Sequence, residues 1–174
     1  MKIGLYGLCF FCFVLLSCGD NKTSTDVSDI ENSAQTPVLT AKAIENFDYK
    51  EYALSSESEK ALTNWEKYQE LAIQISYLKK ADLSFFREDK KDLRQFIKEF
   101  KAGIPKEFLT NPIISRTVIV ETTLLKLNEN LSLDHVNDRT KLLSIKEVLV
   151  AFSNLNYQIN KTLERNLYDQ IQPE

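Results

Sequence analysis

The sequence predicts an all-α protein, a four-helix up-down-up-down bundle made of two helical hairpins that follow a disordered N-terminal tether. Two observations predict this fold class. Between Ala53 and Gln172 the chain has one glycine, Gly103, and two prolines, Pro105 and Pro112, all within ten residues of each other. This is too few turn residues for a protein made of strands. On both sides of this stretch, apolar residues recur at spacings of three and four, the period of a helix.

The first segment of the chain is a short apolar run that ends at a cysteine. Lys2 precedes the apolar residues 3–16, and Ser17 separates them from Cys18. A membrane-spanning helix needs about 20 apolar residues, so this run is too short to be one. A basic residue, a short apolar core and a small residue at the end are typical of a secretory signal peptide. We therefore predict a signal peptide over residues 1–17.

The residues around the cysteine point to its modification. The sequence Leu15-Leu16-Ser17-Cys18, followed by Gly19, resembles the lipobox of bacterial lipoproteins, in which the cysteine receives a lipid anchor and becomes the first residue. The resemblance implies a permanent anchor at Cys18, because mature lipoproteins carry three acyl chains and stable attachment takes more than one. The chain is similar in style to small helical envelope lipoproteins of Gram-negative bacteria, of the Bacteroidetes type.

Residues 18–50 are predicted to contain the lipidated cysteine and a disordered acidic linker. Between residues 20 and 53, seven acidic residues and three lysines give a net charge of −4. The apolar residues there are too scattered to offset the entropy of ordering the chain. The linker ends at an aromatic cluster that includes Tyr49 and Tyr52, and the helical bundle domain is predicted over residues 51–172.

The first predicted hairpin begins with a helix capped near Ser56. This serine precedes Glu59 by three positions, a spacing typical of a helix N-terminus. The helix carries an apolar stripe at helical spacing, which consists of Ala61, Leu62, Trp65, Tyr68, Leu71, Ala72, Ile75 and Leu78.

The second helix of this hairpin follows a turn predicted over residues 82–84, where Asp82 and Ser84 are capping types. Its stripe consists of Phe86, Leu93, Phe96, Ile97 and Phe100. Gly103 is expected to end this helix in the left-handed conformation. One uninterrupted helix over residues 56–102 is the alternative interpretation.

The third helix is predicted to begin with Asn111 as its cap and Pro112 at its first position, a pair suited to helix entry. Its stripe consists of Ile113, Thr117, Val120, Leu124, Leu127 and Leu131. A polar loop is predicted over residues 132–140, with Asp134 and Asp138 as possible caps. The fourth helix then runs to about Asp169, roughly 45 Å at 1.5 Å per residue, on a stripe of Leu142, Ile145, Leu149, Phe152, Asn156, Ile159 and Leu163.

One polar residue, Asn156, interrupts the apolar seam of the fourth helix. A buried asparagine needs hydrogen-bond partners, and its best-attested use is to fix the register of packed helices. The alternative is a polar point on the wall of a ligand cavity between the helices. The residues predicted to line that cavity are Trp65, Phe96, Phe152 and Asn156.

Candidate catalytic and metal-binding residues are few. His135 is the one histidine of the chain and lies in the predicted loop, with no serine marked as its partner. A di-iron bundle needs Glu-x-x-His twice, zinc needs thiolates or a second imidazole, and no glycine-rich loop could hold a phosphate. The C-x-x-C pair Cys9 and Cys12 leaves with the signal peptide. We therefore predict that the protein is not an enzyme and holds no metal or cofactor.

Charge argues against nucleic acid as a partner. Residues 54–174 contain eighteen acidic and eighteen basic residues, whereas phosphate binding needs a basic footprint. The densest basic stretch, around Lys90, Lys91 and Arg94, is interleaved with acids and is predicted to be a solvated helix face.

These observations lead to two functional hypotheses. The first is a protein of the cell envelope, attached through its lipid to the periplasmic side of the outer membrane, whose helical domain has a structural role or binds an envelope protein. Its contact surface would be a helix face or the aromatic residues near Tyr49 and Tyr52. The alternative is a carrier of a small ligand or lipid in the cavity between the helices.

Overall fold

The computed structural model describes residues 38–171, and the predicted signal peptide, the lipidated Cys18 and most of the predicted linker lie outside these residues. The described part is all-α. It contains six α-helices where the sequence predicted four: α1 (Ala41–Glu45), α2 (Ser56–Ala61), α3 (Glu66–Leu78), α4 (Lys90–Ala102), α5 (Asn111–Ser132) and α6 (Asp138–Ile171).

The helix α1 lies inside the segment predicted as a disordered linker, so that prediction is wrong over residues 38–50. Thr40 caps α1 by accepting a hydrogen bond from the amide of Ala43 at 3.2 Å. Ile44 is buried, and Phe47 and Tyr49 pack against the core. The few apolar residues here are ordered because they pack on α6, a contact that local composition does not reveal.

The first long helix of the prediction is broken. The helix α2 ends at Ala61, and α3 begins at Glu66 after a turn, with Leu62 and Trp65 both fully buried at the break. The cap of α2 is Ser55 rather than Ser56, because the Ser55 hydroxyl accepts the amide of Ser58 at 3.1 Å. The break therefore depends on where two apolar side chains are buried, since no glycine or proline lies there.

A turn separates α3 from α4 as predicted, so the alternative of one helix over residues 56–102 is wrong. Ala81 has a φ of 63°, and the Asp82 carboxylate accepts hydrogen bonds from the Ser84 amide and hydroxyl. Phe86 lies before α4 in a short 3-10 turn, Phe85–Arg87. The buried Asn128 of α5 holds this turn by donating to the Phe86 carbonyl at 3.1 Å.

Gly103 ends α4, but the prediction of a left-handed conformation is wrong, because its φ is −81°. Glycine is favoured here because the site has little room for a Cβ atom. A Cβ atom at this position would lie 3.0 Å from Cδ1 of Trp65 and 3.3 Å from the carbonyl oxygen of Glu99. The Trp65 ring is fully buried, and its Nε1 donates to the Phe100 carbonyl at 2.7 Å.

The two C-terminal helices form an antiparallel hairpin with the most extensive helix contact in the described part. Pro112 lies in the first turn of α5 as predicted, but the cap position is Thr110 rather than Asn111. The cap of α6 is Asn137, whose Oδ1 accepts the amide of Thr140 at 2.9 Å, rather than Asp134 or Asp138. The helix α6 has 34 residues, and its apolar stripe lies in the core of the molecule.

Candidate functional site

Three polar side chains of α6 bind the main chain of an extended segment, residues 50–55, which we call the strap. The Ser153 hydroxyl accepts the amide of Tyr52 at 2.7 Å and donates to the carbonyl of Lys50 at 2.9 Å. The amide nitrogen of Asn156 donates to the Tyr52 carbonyl at 3.0 Å. These side chains lie at helical spacing on one face of α6, so they meet successive main-chain groups of the strap.

Asn160 completes this contact one turn further along α6. Its amide nitrogen donates to the Ala53 carbonyl, and its Oδ1 accepts the Ser55 amide, both at 2.9 Å. Five hydrogen bonds thus join the strap to α6, and all five use main-chain atoms of the strap. The hydrogen bonds therefore select an extended backbone, and the Tyr52 ring adds a side-chain contact, since its centroid lies 4.7 Å from that of Tyr157 in α6.

The buried end of this contact is a pair formed by Tyr68 and Asn156. The Tyr68 hydroxyl donates to the Asn156 Oδ1 at 2.7 Å, so both polar groups of the asparagine side chain are satisfied. Burial raises the pKa of Tyr68 well above its ordinary value, and the Glu59 carboxylate adds to the increase. The pair links α3, α6 and the strap, so the arrangement fixes their register.

Two open cavities lie beside the strap and share part of their lining. The smaller has a volume of about 170 Å³ and is lined by Phe152 and Asn156 together with strap residues. The larger, about 490 Å³, lies next to α1, and its lining includes the apolar residues Ile44, Phe47 and Leu149.

The four residues predicted to line one ligand cavity do not come together in these two cavities. Phe152 and Asn156 line the smaller one, but Trp65 and Phe96 line neither. Trp65 is enclosed by aromatic rings, with the Phe100 centroid at 5.0 Å. Phe96 packs edge-on against Phe85, also at 5.0 Å. The Trp65 and Phe96 rings are therefore part of the packed core.

A small charged cluster lies where the two cavities meet. Lys79 at the end of α3 forms an ion pair with Glu51 of the strap, and the Tyr49 hydroxyl donates to the same carboxylate at 3.3 Å. Partial burial raises the pKa of Tyr49 to about 12, and the Glu51 charge and hydrogen bond contribute. The aromatic residues near Tyr49 and Tyr52 are thus half-buried parts of the wall, not a free surface.

A second candidate surface is a groove between α4 and α5, which we call the α4–α5 groove. It has a volume of about 320 Å³, with Arg94, Lys98 and Lys101 on its α4 side. Lys101 pairs with Glu121 of α5 at 2.6 Å, whereas Arg94 and Lys98 pair with no carboxylate among residues 38–171. The interleaved acids noted in the sequence therefore leave these two cations unneutralised.

On its α5 side the groove is lined by Glu121, and an exposed apolar edge of α5 lies before this residue. Ile114 and Val118 lie seven and three positions before Glu121, on the same edge of the helix. They are 39% and 44% exposed. Neighbouring exposed apolar residues are a common feature of protein contact surfaces.

The described residues offer few other candidates for catalysis or metal binding. His135 is exposed in the loop between α5 and α6. Within residues 38–171 there is no group of three His, Cys, Asp or Glu side chains that could hold a metal ion. No described helix is long and apolar enough to cross a membrane.

Two residues of the strap contact, Ser153 and Asn160, are not among those predicted from the sequence. Their signal was available: with Asn156 they place three small polar side chains at spacings of three and four along an apolar helix. Comparison of the chain with protein-family models, curated proteins and solved structures finds no match.

Proposed function

We propose that this chain is a lipid-anchored protein of the cell envelope, attached to the periplasmic side of the outer membrane, whose helical domain binds another protein through the α4–α5 groove. The resemblance of residues 15–18 to a lipobox supports the anchor. The groove supports the binding role. In this proposal α3, α4, α5 and α6 form the up-down-up-down bundle, and α1 and α2 are additions on α6.

The observation that carries the binding role is the groove itself, in which Arg94 and Lys98 form no ion pair among the described residues. Arg94 and Lys98 are both exposed on one side of α4, and Ile114 and Val118 are exposed on α5 before Glu121, beyond the end of the groove. A partner that covers this groove and the neighbouring edge of α5 presents carboxylates to the groove and apolar residues to Ile114 and Val118. An acidic amphipathic helix satisfies both requirements in one element.

Site-specific crosslinking in cells tests this proposal. A photo-reactive residue replaces Val118, three positions before the groove residue Glu121, and a matched control carries it at Leu143, which is 54% exposed on α6. We expect crosslinks at residue 118, but not at residue 143, to an acidic amphipathic segment identified by mass spectrometry. Crosslinks to lipid, or to segments without acidic residues, would contradict the proposal.

Charge reversal is the second part of the same experiment. Arg94→Glu with Lys98→Glu should lower the crosslink yield at residue 118 by roughly tenfold or more, because the carboxylates of the partner would then be repelled. Lys60→Glu with Arg139→Glu makes the same charge change at exposed positions away from the groove and should leave the yield unchanged. Equal yields from the two double variants would exclude an acidic partner.

The anchor is tested separately by fractionation. Wild-type protein should pellet with membranes, and Cys18→Ala should be recovered in the soluble fraction, because the acyl chains supply the membrane affinity. A Cys18→Ala variant that still pelleted with membranes would refute the lipid anchor and leave the groove proposal untouched.

A second candidate function, a small-ligand or lipid carrier, is favoured by the larger cavity beside the strap. Its volume of about 490 Å³ is within the range of small-molecule sites, and Ile44, Phe47 and Leu149 supply apolar lining. Native mass spectrometry of the purified protein should then show a bound mass. Ala41→Trp, which fills this cavity, should abolish that mass, while Ala102→Trp at an exposed position on α4 should retain it.

A further inference from the structure

The N-terminal part of the described chain is attached to the rest of the molecule mainly through α6. Residues 38–61, which we call the arm, comprise α1, the strap and α2, and both helices of the arm contact α6. The five strap hydrogen bonds also end on α6. The ion pair of Glu51 with Lys79 is an additional contact, with the end of α3. Most of the polar contacts of the arm with the rest of the molecule therefore end on α6.

The arm is joined to α3 by residues 62–65, which lack the usual features of a helix boundary. The span from α2 to α3 contains no glycine or proline, and α3 begins without a side-chain cap. The turn is held by a few hydrogen bonds, including one from the Gln69 side chain to the Leu62 carbonyl at 3.2 Å. Residues 62–65 thus form a turn without glycine or proline, in which Thr63 and Asn64 are the residues that disfavour a continuous helix.

The apolar pattern is also consistent with a continuous helix through this turn. Leu62 and Trp65 are three positions apart, so they would share one face of a helix that joins α2 to α3. Such a helix over residues 56–78 would be about 35 Å long at 1.5 Å per residue. Straightening the turn would carry the arm away from its own α6.

We propose that two copies of this chain exchange their arms, with residues 62–65 helical in both and each arm bound to α6 of the other copy. The second copy is the occupant because its arm is identical to the one already seated on α6. Every contact between the arm and α6 is kept in the exchanged dimer, and the two contacts are related by a two-fold axis, so the assembly closes. Monomer and dimer differ mainly at the four residues of the turn and in the entropy of association.

Substitutions in the turn should shift the balance between monomer and dimer. Thr63→Ala with Asn64→Ala raises helix propensity at two positions in both copies, so the dimer-to-monomer ratio should rise by roughly tenfold or more. Asn64→Pro should abolish the dimer, because proline breaks a continuous helix. Asn166→Ala, an equivalent change within α6, should leave the ratio unchanged. The ratio is measured on the full chain in detergent by size-exclusion chromatography with light scattering.

A crosslink between Glu51 and Lys79, which form an ion pair, shows whether an arm is bound to its own copy or to the other copy. A mixture of ¹⁵N-labelled and unlabelled Thr63→Ala/Asn64→Ala protein is unfolded, refolded together and treated with a carbodiimide, which joins carboxylates to nearby amines. In the dimer fraction, about half of the crosslinks between residues 51 and 79 should join a labelled to an unlabelled copy, as expected for random pairing. The pair of Lys126 with Glu147, within the α5–α6 hairpin, is the control and should give crosslinks of one label only.

Two results would overturn the proposal. One is the absence of a dimer fraction in the Thr63→Ala/Asn64→Ala protein. The other is a dimer whose crosslinks between residues 51 and 79 carry a single label, because its copies would then have kept their own arms.

Discussion

At the scale of single residues, several positions are determined by what lies against them rather than by local preference. Gly103 has an ordinary backbone conformation, and the reason for glycine is the ring of Trp65 at 3.0 Å from where a Cβ would be. The Trp65 ring cannot move aside easily, because it is fully buried and hydrogen-bonded to the Phe100 carbonyl.

Gly103→Ala should therefore destabilise the protein, although alanine favours helices. We expect a loss of about 1–3 kcal/mol in the free energy of unfolding, the usual cost of overpacking, measured by urea denaturation. In a Trp65→Phe background the smaller ring leaves room, so the same substitution should cost less. An equal cost in both backgrounds would show that Trp65 is not the cause.

Tyr68→Phe tests the buried hydrogen bond to Asn156. The substitution leaves the Asn156 Oδ1 without its donor in a buried place, so we expect a loss of about 1–3 kcal/mol. Asn156→Ala should cost more, because it also removes the bond to the strap. A neutral effect of Tyr68→Phe would mean that water replaces the hydroxyl.

The raised pKa of Tyr68 predicts how stability changes at high pH. In the unfolded chain tyrosine loses its proton near pH 10, whereas burial keeps the folded Tyr68 protonated at that pH. The unfolded state therefore binds fewer protons above pH 10, and the free energy of unfolding falls as pH rises. Urea midpoints should be flat from pH 7 to about 9.5 and decrease above about 10, with a smaller decrease in Tyr68→Phe.

At the scale of elements, the sequence predicts helices well and their interruptions poorly. The stripes of α4, α5 and α6 follow from apolar spacing, and Pro112 fixes the start of α5 to within a residue. The break at residues 62–65 could not be predicted, because the same apolar spacing continues through it. The ordered conformation of the strap could not be predicted either, because it depends on hydrogen bonds to residues about one hundred positions away. The helix α1 likewise depends on packing against the distant α6.

The strap contact predicts a local effect on hydrogen exchange. Ser153→Ala removes both hydrogen bonds of that side chain, so the amide of Tyr52 should exchange roughly tenfold faster, measured by NMR or mass spectrometry. Ser144→Ala is the matched control, since this buried serine of α6 bonds Asn130 and not the strap. Equal rates in the two variants would argue against a role of Ser153 in holding the strap.

At the scale of the whole molecule, the hairpin of α5 and α6 is the surface on which the other elements assemble. The helix α6 contacts α1, α2, α5 and the strap, but its last turns contribute little: Leu167, Tyr168 and Ile171 are 45%, 64% and 78% exposed. The last buried residue of the described helix is Thr162. The length of α6 therefore exceeds what the core requires.

Truncations of α6 should distinguish its buried part, which ends at Thr162, from its exposed last turns. Ending the chain after Asn166 should change the free energy of unfolding by less than about 0.5 kcal/mol, since no buried side chain among the described residues is removed. Ending it after Leu155 removes Asn156, Asn160 and the buried Ile159, and should abolish cooperative unfolding, followed by circular dichroism. A large loss from the shorter truncation would show that the end of α6 is held by contacts beyond its buried residues.

The strap also predicts where related chains would be free to differ. Because α6 binds main-chain atoms, the exposed side chains of Lys50 and Ala53 can vary widely without loss of the contact. Proline is excluded at residues 52 and 55, whose amides are used. Among homologues, Ser153, Asn156 and Asn160 of the helix are therefore expected to be retained, while Lys50 and Ala53 of the strap differ from chain to chain.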